Sequence, residues 1–426
     1  MKRTSTTPQS IALLASALAA VIIIGAGCVR YLADVAAPAG RAEAQVAERG
    51  RVANPPIATK APLPAPGLAS AAPDSVRQAQ VILPTPTPET VPSPAPPPSP
   101  TAAPIHQPAQ PAVRLSGLRH FWQTWNNCGP ATLAMNLSYY GSTLDQAAIG
   151  GALRTHEDDK NVLPEELAAY ARSQGLRAEV RVNGTPELMR TFLSNGIPVI
   201  IETWLEEEPN DGMGHYRLLV GYDDASQRWI AYDTYVRGPR VNLIGPYAGI
   251  YLPYGQTAEW WKVFNHTYVL IYPEEQTPLV QSILGEDFDT VTMWRNSLRA
   301  AEVAVTQQPD DVFAWFNLGT NRLYFGDHAG AAAAYDQARN LGLPWRMLWY
   351  QFGPFDAYQA VGRMGDILAL ADATLANTRS IEEIHYWRGV ALAAQGNLDG
   401  ARQSWQRALE INRNFAPVLQ ALADAG

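Results

Sequence analysis

At 426 residues the chain exceeds one ordinary domain and accommodates two with tails, and its 47% hydrophobic content can fill their cores. The net charge of −8, with no basic stripe in the globular part, argues against nucleic acid as a partner. Two cysteines exclude a disulfide scaffold and a cysteine-rich zinc module.

Lys2 and Arg3 precede an apolar, uncharged run from about Ile11 to Val29. A cleaved signal has an apolar region of roughly 7–15 residues, a spanning helix roughly 17–25, and this run is nearer the second. Basic residues on the short N-terminal side keep that end in the cytoplasm. Residues 1–30 are therefore expected to be an uncleaved signal anchor, a single-pass transmembrane helix in the cell membrane. The globular domains would lie on the extracytoplasmic side. The alternatives are secretion after signal cleavage, or a lipoprotein modified at Cys28, where Gly25-Ala26-Gly27-Cys28 is a loose lipobox-like end. Residues 31–113 form the expected linker. From about Asn54 to Pro111 it is mostly Pro, Ala, Thr and Ser, which favours an extended, disordered stalk.

Order is expected from near Leu115, in a domain over 114–277. A helix is expected at Thr132–Tyr140, with Asn127 as N-cap, Pro130 in the first turn and Gly141 at its end. Further helices are expected at about Pro164–Ser173 and Pro186–Ser194, the latter capped by Thr185. Strands follow over Ile197–Thr203, Tyr216–Tyr222, Trp229–Asp233 and Thr267–Tyr272. Helices first and an antiparallel sheet afterwards is an α+β layout.

Residues 285–426 read as an all-α domain. Trp315, Leu318 and Gly319, then Gly326, Ala331, Tyr335 and Ala338, stand at the offsets of a tetratricopeptide repeat. Gly389, Gly396, Ala401, Trp405, Ala408 and Pro417 form a second copy, with Trp294–Gln307 and Ile367–Ala376 as partial units. Each small residue lets two helices approach, and each aromatic fills the gap. Such stacks present a concave groove, so a protein partner is expected here.

The chemistry lies in Gln123-x-Trp125-Asn126-Asn127-Cys128-Gly129-Pro130-Ala131-Thr132. A thiol at a helix N-terminus is biased towards thiolate, and an upstream amide can donate to a developing oxyanion. Gly214-His215-Tyr216-Arg217 leads into one expected strand, and Tyr232-Asp233 ends the next. A carboxylate on the neighbouring strand could fix the tautomer of His215. Over about Leu115 to Glu275 the chain resembles the C39-like peptidase family of the papain-like cysteine protease superfamily. The resemblance implies Cys128 as nucleophile, His215 as base, Asp233 as the group orienting His215, and Gln123 as oxyanion donor. The family often has Pro after the acid, where this chain has Thr234.

Of the seven histidines, His266 is the rival to His215, since it also precedes a strand, but no acid follows it at short range. The acidic run Glu206-Glu207-Glu208 with Asp211 reads as a solvated loop, or as a rim favouring basic peptides. His156-Glu157-Asp158-Asp159 reads as a surface loop, without the spacing of a metal site. No phosphate-binding loop or dinucleotide fingerprint occurs, and no metal or cofactor is expected.

The fold class expected is thus a papain-like α+β domain followed by a tetratricopeptide-repeat domain, behind a transmembrane segment and a disordered Pro-rich linker. The function expected is a membrane-tethered extracytoplasmic cysteine peptidase acting on peptide or protein substrates. The alternatives are a catalytically silent binding scaffold and an acyl or peptidyl transferase using the same cysteine.

Overall fold

The computed structural model describes residues 105–207, 211–236 and 247–425. The expected signal anchor, and the expected linker ahead of Ile105, lie outside the described residues. The linker boundary at 113 is corrected. His106 Nδ1 hydrogen-bonds Ser282 Oγ at 2.7 Å, and strand β1 (Ala112–Arg114) pairs antiparallel with residues 221–223. Ladder bonds use only backbone groups, so a Pro- and Ala-rich composition does not prevent a short segment from completing a sheet.

Helix α1 (Cys128–Tyr139) begins at Cys128 itself rather than at Thr132. Helix α2 (Gln146–Leu153) is capped by Asp145, whose carboxylate accepts from the N–H groups of Ala147 and Ala148. Helix α3 (Pro164–Ser173), strand β2 (Arg177–Arg181) and helix α4 (Pro186–Ser194) follow, and both helices have their expected bounds. Thr185 caps α4 by accepting from Leu188 N–H at 3.2 Å. Then come β3 (Val199–Leu205), β4 (Met213–Asp223), β5 (Arg228–Asp233), β6 (Ile250–Pro253), helix α5 (Tyr254–Lys262), β7 (Tyr268–Tyr272) and helix α6 (Thr277–Leu284).

The strands form one antiparallel sheet in the order β2-β7-β3-β4-β5-β6, with β1 added on β4. Leu133, Leu137 and Leu167 pack against Ile200, Leu218 and Ile271 on one face. Phe192, Trp261 and Val280 pack against Val199, Ile201 and Leu270 on the other. A sheet covered on both faces gives strands that read as unbroken apolar runs, which explains Val199-Ile200-Ile201.

The chain then turns helical: α7 (Thr290–Gln307), α8 (Val312–Tyr324), α9 (His328–Asn340), a 3₁₀ turn (Trp345–Trp349), α10 (Gly353–Ala360), α11 (Met364–Asn377), α12 (Glu382–Ala394), α13 (Leu398–Ile411) and α14 (Ala416–Asp424). Small-against-large packing holds the pairs together. A Cβ at Gly319 would lie 2.7 Å from the Tyr335 ring, and one at Gly389 would lie 2.2 Å from Trp405 Nε1. Gly389→Ala is therefore expected to destabilise by about 1–3 kcal/mol, as overpacked cores do, read as a lowered urea midpoint. An unchanged midpoint would mean that Trp405 can move aside.

The helical region is not tethered loosely to the sheet domain. Trp204, Val263 and Phe264 of the sheet domain share one core with Phe316, Met347 and Leu348. Polar bonds run along the same seam. Lys262 Nζ pairs with Asp311 at 2.8 Å, Asn317 Nδ2 donates to the Lys262 carbonyl at 2.8 Å, and Thr155 Oγ1 donates to the Ile411 carbonyl at 3.1 Å. The architecture is a mixed α/β domain followed by a helical tetratricopeptide-type region. Among the described residues no helix is long and apolar enough to cross a membrane.

Candidate active site

Four elements meet at Cys128: the N-terminus of α1, strands β4 and β5, and the turn after β5. Side chains alternate along a strand, so His215 and Arg217 share one face of β4. The register brings Thr203 opposite His215 and Asp233 opposite Arg217. His215, Arg217, Thr203 and Asp233 are all at least nine-tenths buried.

Asp233 is the hub. Its Oδ1 accepts from His215 Nε2 at 3.1 Å and from the N–H groups of Tyr235 and Val236 at 2.8 Å each. Its Oδ2 accepts from Arg217 Nε at 3.0 Å. Arg217 also donates to Thr203 Oγ1 and lies over the Trp260 ring, 4.9 Å from its centroid. With Nε2 engaged by the carboxylate, Nδ1 is the nitrogen that can serve the thiol. His215 and Cys128 act on each other electrostatically, each shifting the other towards its charged form.

The charges follow from these contacts. Burial alone would push the Asp233 carboxyl up, but His215 and Arg217, with the backbone N–H of Val236, hold it well below the usual carboxylate range. Burial pulls His215 down, yet the charge and hydrogen bond of Asp233, with the influence of Cys128, raise it to about 9. Burial pushes the Cys128 thiol up. His215 and the backbone N–H groups of Tyr216 and Gly129 outweigh this and leave it below its ordinary value. These shifts favour a thiolate–imidazolium pair.

Asn127 occupies the expected N-cap position of α1, but its side chain does not cap. It donates to Thr124 Oγ1 and Gln146 Oε1 at 3.2 and 3.0 Å, and accepts from Arg154 Nη1 at 3.1 Å. The first-turn N–H of Gly129 is thereby left to the thiolate. Gln123 is tied to the turn after β5. Its backbone N–H donates to the Thr234 carbonyl at 2.9 Å, and its side-chain Oε1 accepts from Thr234 Oγ1 at 2.7 Å.

The structure thus brings Cys128, His215 and Asp233 into one polar line and ties Gln123 to the residue after Asp233. It keeps His266 apart. That ring packs edge-on to Trp261 with centroids 5.3 Å apart, and burial pulls its pKa down to about 4. His120 stacks on Tyr247 at 3.5 Å and bonds the Asp233 carbonyl at 2.7 Å. Among the described residues no group of three or more His, Cys, Asp or Glu could hold a metal ion.

Two loop readings change. Asp159, read as part of a surface loop, is 1% exposed because Arg154 and the start of α12 cover it. Asp211 forms an ion pair with Arg346, whose Nη1 also donates to its carbonyl at 3.1 Å. The helical region therefore neutralises part of the expected acidic rim. It also closes on β4, where a Cβ at Gly214 would lie 3.0 Å from the Tyr350 ring. Arg217 and Thr234 are the polar residues whose roles the sequence left unassigned. The signal for Arg217 was there: it lies two residues from His215 in an otherwise apolar strand.

Residues 104–259 match the model of the Peptidase_C39 like family, and residues 382–415 match that of the tetratricopeptide repeat. Solved structures show similarity to each part. A protein described as a C39-like peptidase from Bacillus anthracis is 16% identical, covering 38% of this chain and 98% of its own, with a TM-score of 0.31. The peptidase domain of Streptococcus ComA, a bi-functional ABC transporter, is also 16% identical, covering 37% and 100%, with a TM-score of 0.29. A tetratricopeptide-repeat protein of Thermus thermophilus is 16% identical, covering 36% and 82%, with a TM-score of 0.28. No curated protein matches the chain.

Proposed function

We propose, taking the Peptidase_C39 like domain and the tetratricopeptide repeat as the premise, that this protein is a cysteine peptidase. Cys128 is its nucleophile, His215 its general base and acid, Asp233 the group that orients His215, and Gln123 its oxyanion donor. The observation that carries the reading is the bonding of His215 by Nε2 to a buried, charge-compensated carboxylate, beside the Cys128 thiol at the start of α1 with which it interacts electrostatically.

In this mechanism the Cys128 thiolate attacks the peptide carbonyl carbon and the carbonyl pair moves to oxygen. The Gln123 amide donates to that oxygen. The imidazolium of His215 gives its proton to the leaving amine, leaving a thioester. Water, deprotonated by the neutral imidazole, then releases the acid and restores the thiol. The substrate is a peptide or protein, and the helical region adds a protein-binding surface. Tethering to the membrane through residues 1–30, with the enzyme outside the cytoplasm, is proposed from the sequence of that segment alone.

A mixed peptide library incubated with the full chain is expected to yield new N-termini by mass spectrometry. Cys128→Ala should reduce their appearance at least about 10³-fold. Cleavage persisting in Cys128→Ala would assign the activity elsewhere.

A further inference from the structure

We propose that Thr234 is a positioning residue that sets the orientation of the Gln123 amide, so that the turn carrying the acid also aims the oxyanion donor. This rests on the cysteine-peptidase reading and adds a residue to it. Thr234 is 1% exposed. Two bonds tie it to Gln123: the hydroxyl donates to Oε1 at 2.7 Å, and the carbonyl accepts the Gln123 N–H at 2.9 Å. The turn is itself fixed, because Asp233 Oδ1 accepts from the next two N–H groups, those of Tyr235 and Val236.

The two ends of a glutamine amide are nearly the same shape but opposite in polarity. A hydroxyl donor on Oε1 favours the orientation in which Nε2 is the free end. No described residue accepts from that Nε2. If the amide turned over, a carbonyl oxygen would face the developing negative charge. Proline at 234 has neither a hydroxyl nor any other donor to impose the choice, so here the threonine does so directly.

The test uses the full chain and two reagents that react with the same sulfur. With 4-nitrophenyl acetate, the thiolate attacks the ester carbonyl, an oxyanion forms, and collapse expels 4-nitrophenolate to leave an acetyl thioester. With iodoacetamide, a carbon–sulfur bond forms as iodide leaves, and no carbonyl takes up charge. Thr234→Val keeps the shape and removes the donor. It is expected to slow acetylation about tenfold, a fraction of the roughly 10²–10³-fold that a whole donor is worth, while alkylation stays within about twofold. Thr234→Ser should restore acetylation to within about twofold. Added to Gln123→Ala, Thr234→Val should cost nothing more, since the two act as one unit.

Acetylation unchanged in Thr234→Val, or a loss that adds in full to that of Gln123→Ala, would overturn the assignment and leave the peptidase reading standing. A parallel loss of alkylation in Thr234→Val would also overturn it, because the effect would then lie in the thiolate. A wild-type chain that alkylates at Cys128 but does not acetylate would overturn both.

Discussion

Asp233→Asn is expected to slow acylation of Cys128 by about 10³–10⁴-fold and, by a separate cause, to destabilise the fold by about 3–5 kcal/mol. The first effect comes from the tautomer of His215. Oδ1 accepts from three donors and Oδ2 from Arg217, so an amide NH₂ in either place would face donors only. Turning its NH₂ towards His215 would require the ring to accept at Nε2 and carry its proton at Nδ1, where it can no longer take one from the thiol. The second effect comes from Arg217, which is 1% exposed and would keep its charge without a counter-ion. Arg217→Met added to Asp233→Asn should recover much of the stability and none of the rate. Stopped-flow acetylation and urea unfolding read the two effects. A rate within tenfold of wild type would remove Asp233 from the mechanism.

The second large effect concerns the seam between the two domains. Asp159, Glu382 and Glu383 are each more than nine-tenths buried, and each has one carboxylate oxygen without a hydrogen-bond partner. Glu383 Oε1 accepts from Asn161 Nδ2 at 3.2 Å, Glu382 Oε1 from Asn412 Nδ2 at 2.9 Å, and Glu166 Oε2 from Leu163 N–H at 2.8 Å. Glu165 and Asp158 add negative charge nearby. The Arg154 guanidinium faces the cluster, but it donates to the carbonyls of Trp125, Glu157 and Asp159 and to Asn127 Oδ1 rather than to a carboxylate. Burial, then mutual repulsion, raises Asp159 to about 8, and burial raises Glu166 to about 7; Glu382 and Glu383 move the same way.

These acids are protonated in both states below about pH 4, so they cost nothing there. As pH rises, the unfolded chain ionises first and the folded chain holds its protons. Stability therefore falls from about pH 4 upward, and the parts of the penalty due to Glu166 and Asp159 level off only above about pH 7 and about pH 8. Glu383→Gln keeps the acceptor for Asn161 and removes one charge. It is expected to add about 1–2 kcal/mol at pH 8.5 and almost nothing near pH 4, measured as the shift in urea midpoint. Equal shifts at both pH values would show that folding does not raise the pKa of Glu383.

The parts of the fold that were legible in the sequence are those written locally. Pro at the start and Gly after the end gave α3 and α4 their bounds, and short apolar runs containing β-branched residues marked β3 and β7. Strand β2 was missed because Arg177-Ala178-Glu179-Val180-Arg181 is polar. Its Arg181 is buried only because Glu179 and the Asp287 carbonyl receive its guanidinium. Helix α2 carries Gly150 and Gly151, which weaken any periodic signal.

Of the candidate site residues, Cys128, His215, Asp233 and Gln123 could be named from short motifs. Arg217 showed only as a charge two residues from His215 and Thr234 not at all, because the role of each is set by a partner elsewhere in the chain. Thr234 bonds a residue 111 positions earlier, and Asn161 in the carboxylate seam meets Glu383 222 positions later. Cross-chain pairings of that length have no local periodicity to betray them.

The most direct measurement is the rate of Cys128 alkylation by iodoacetamide against pH, in the full chain and in His215→Ala. The proposed mechanism predicts a wild-type rate that rises at lower pH than that of a free thiol, because the thiol lies below its ordinary value while His215 stays protonated to about pH 9. His215→Ala should lose that early rise and titrate at or above the free-thiol range of about 8.5. A wild-type profile that rises only near pH 8.5 and does not respond to His215→Ala would contradict the peptidase reading and leave a binding protein built on a peptidase fold.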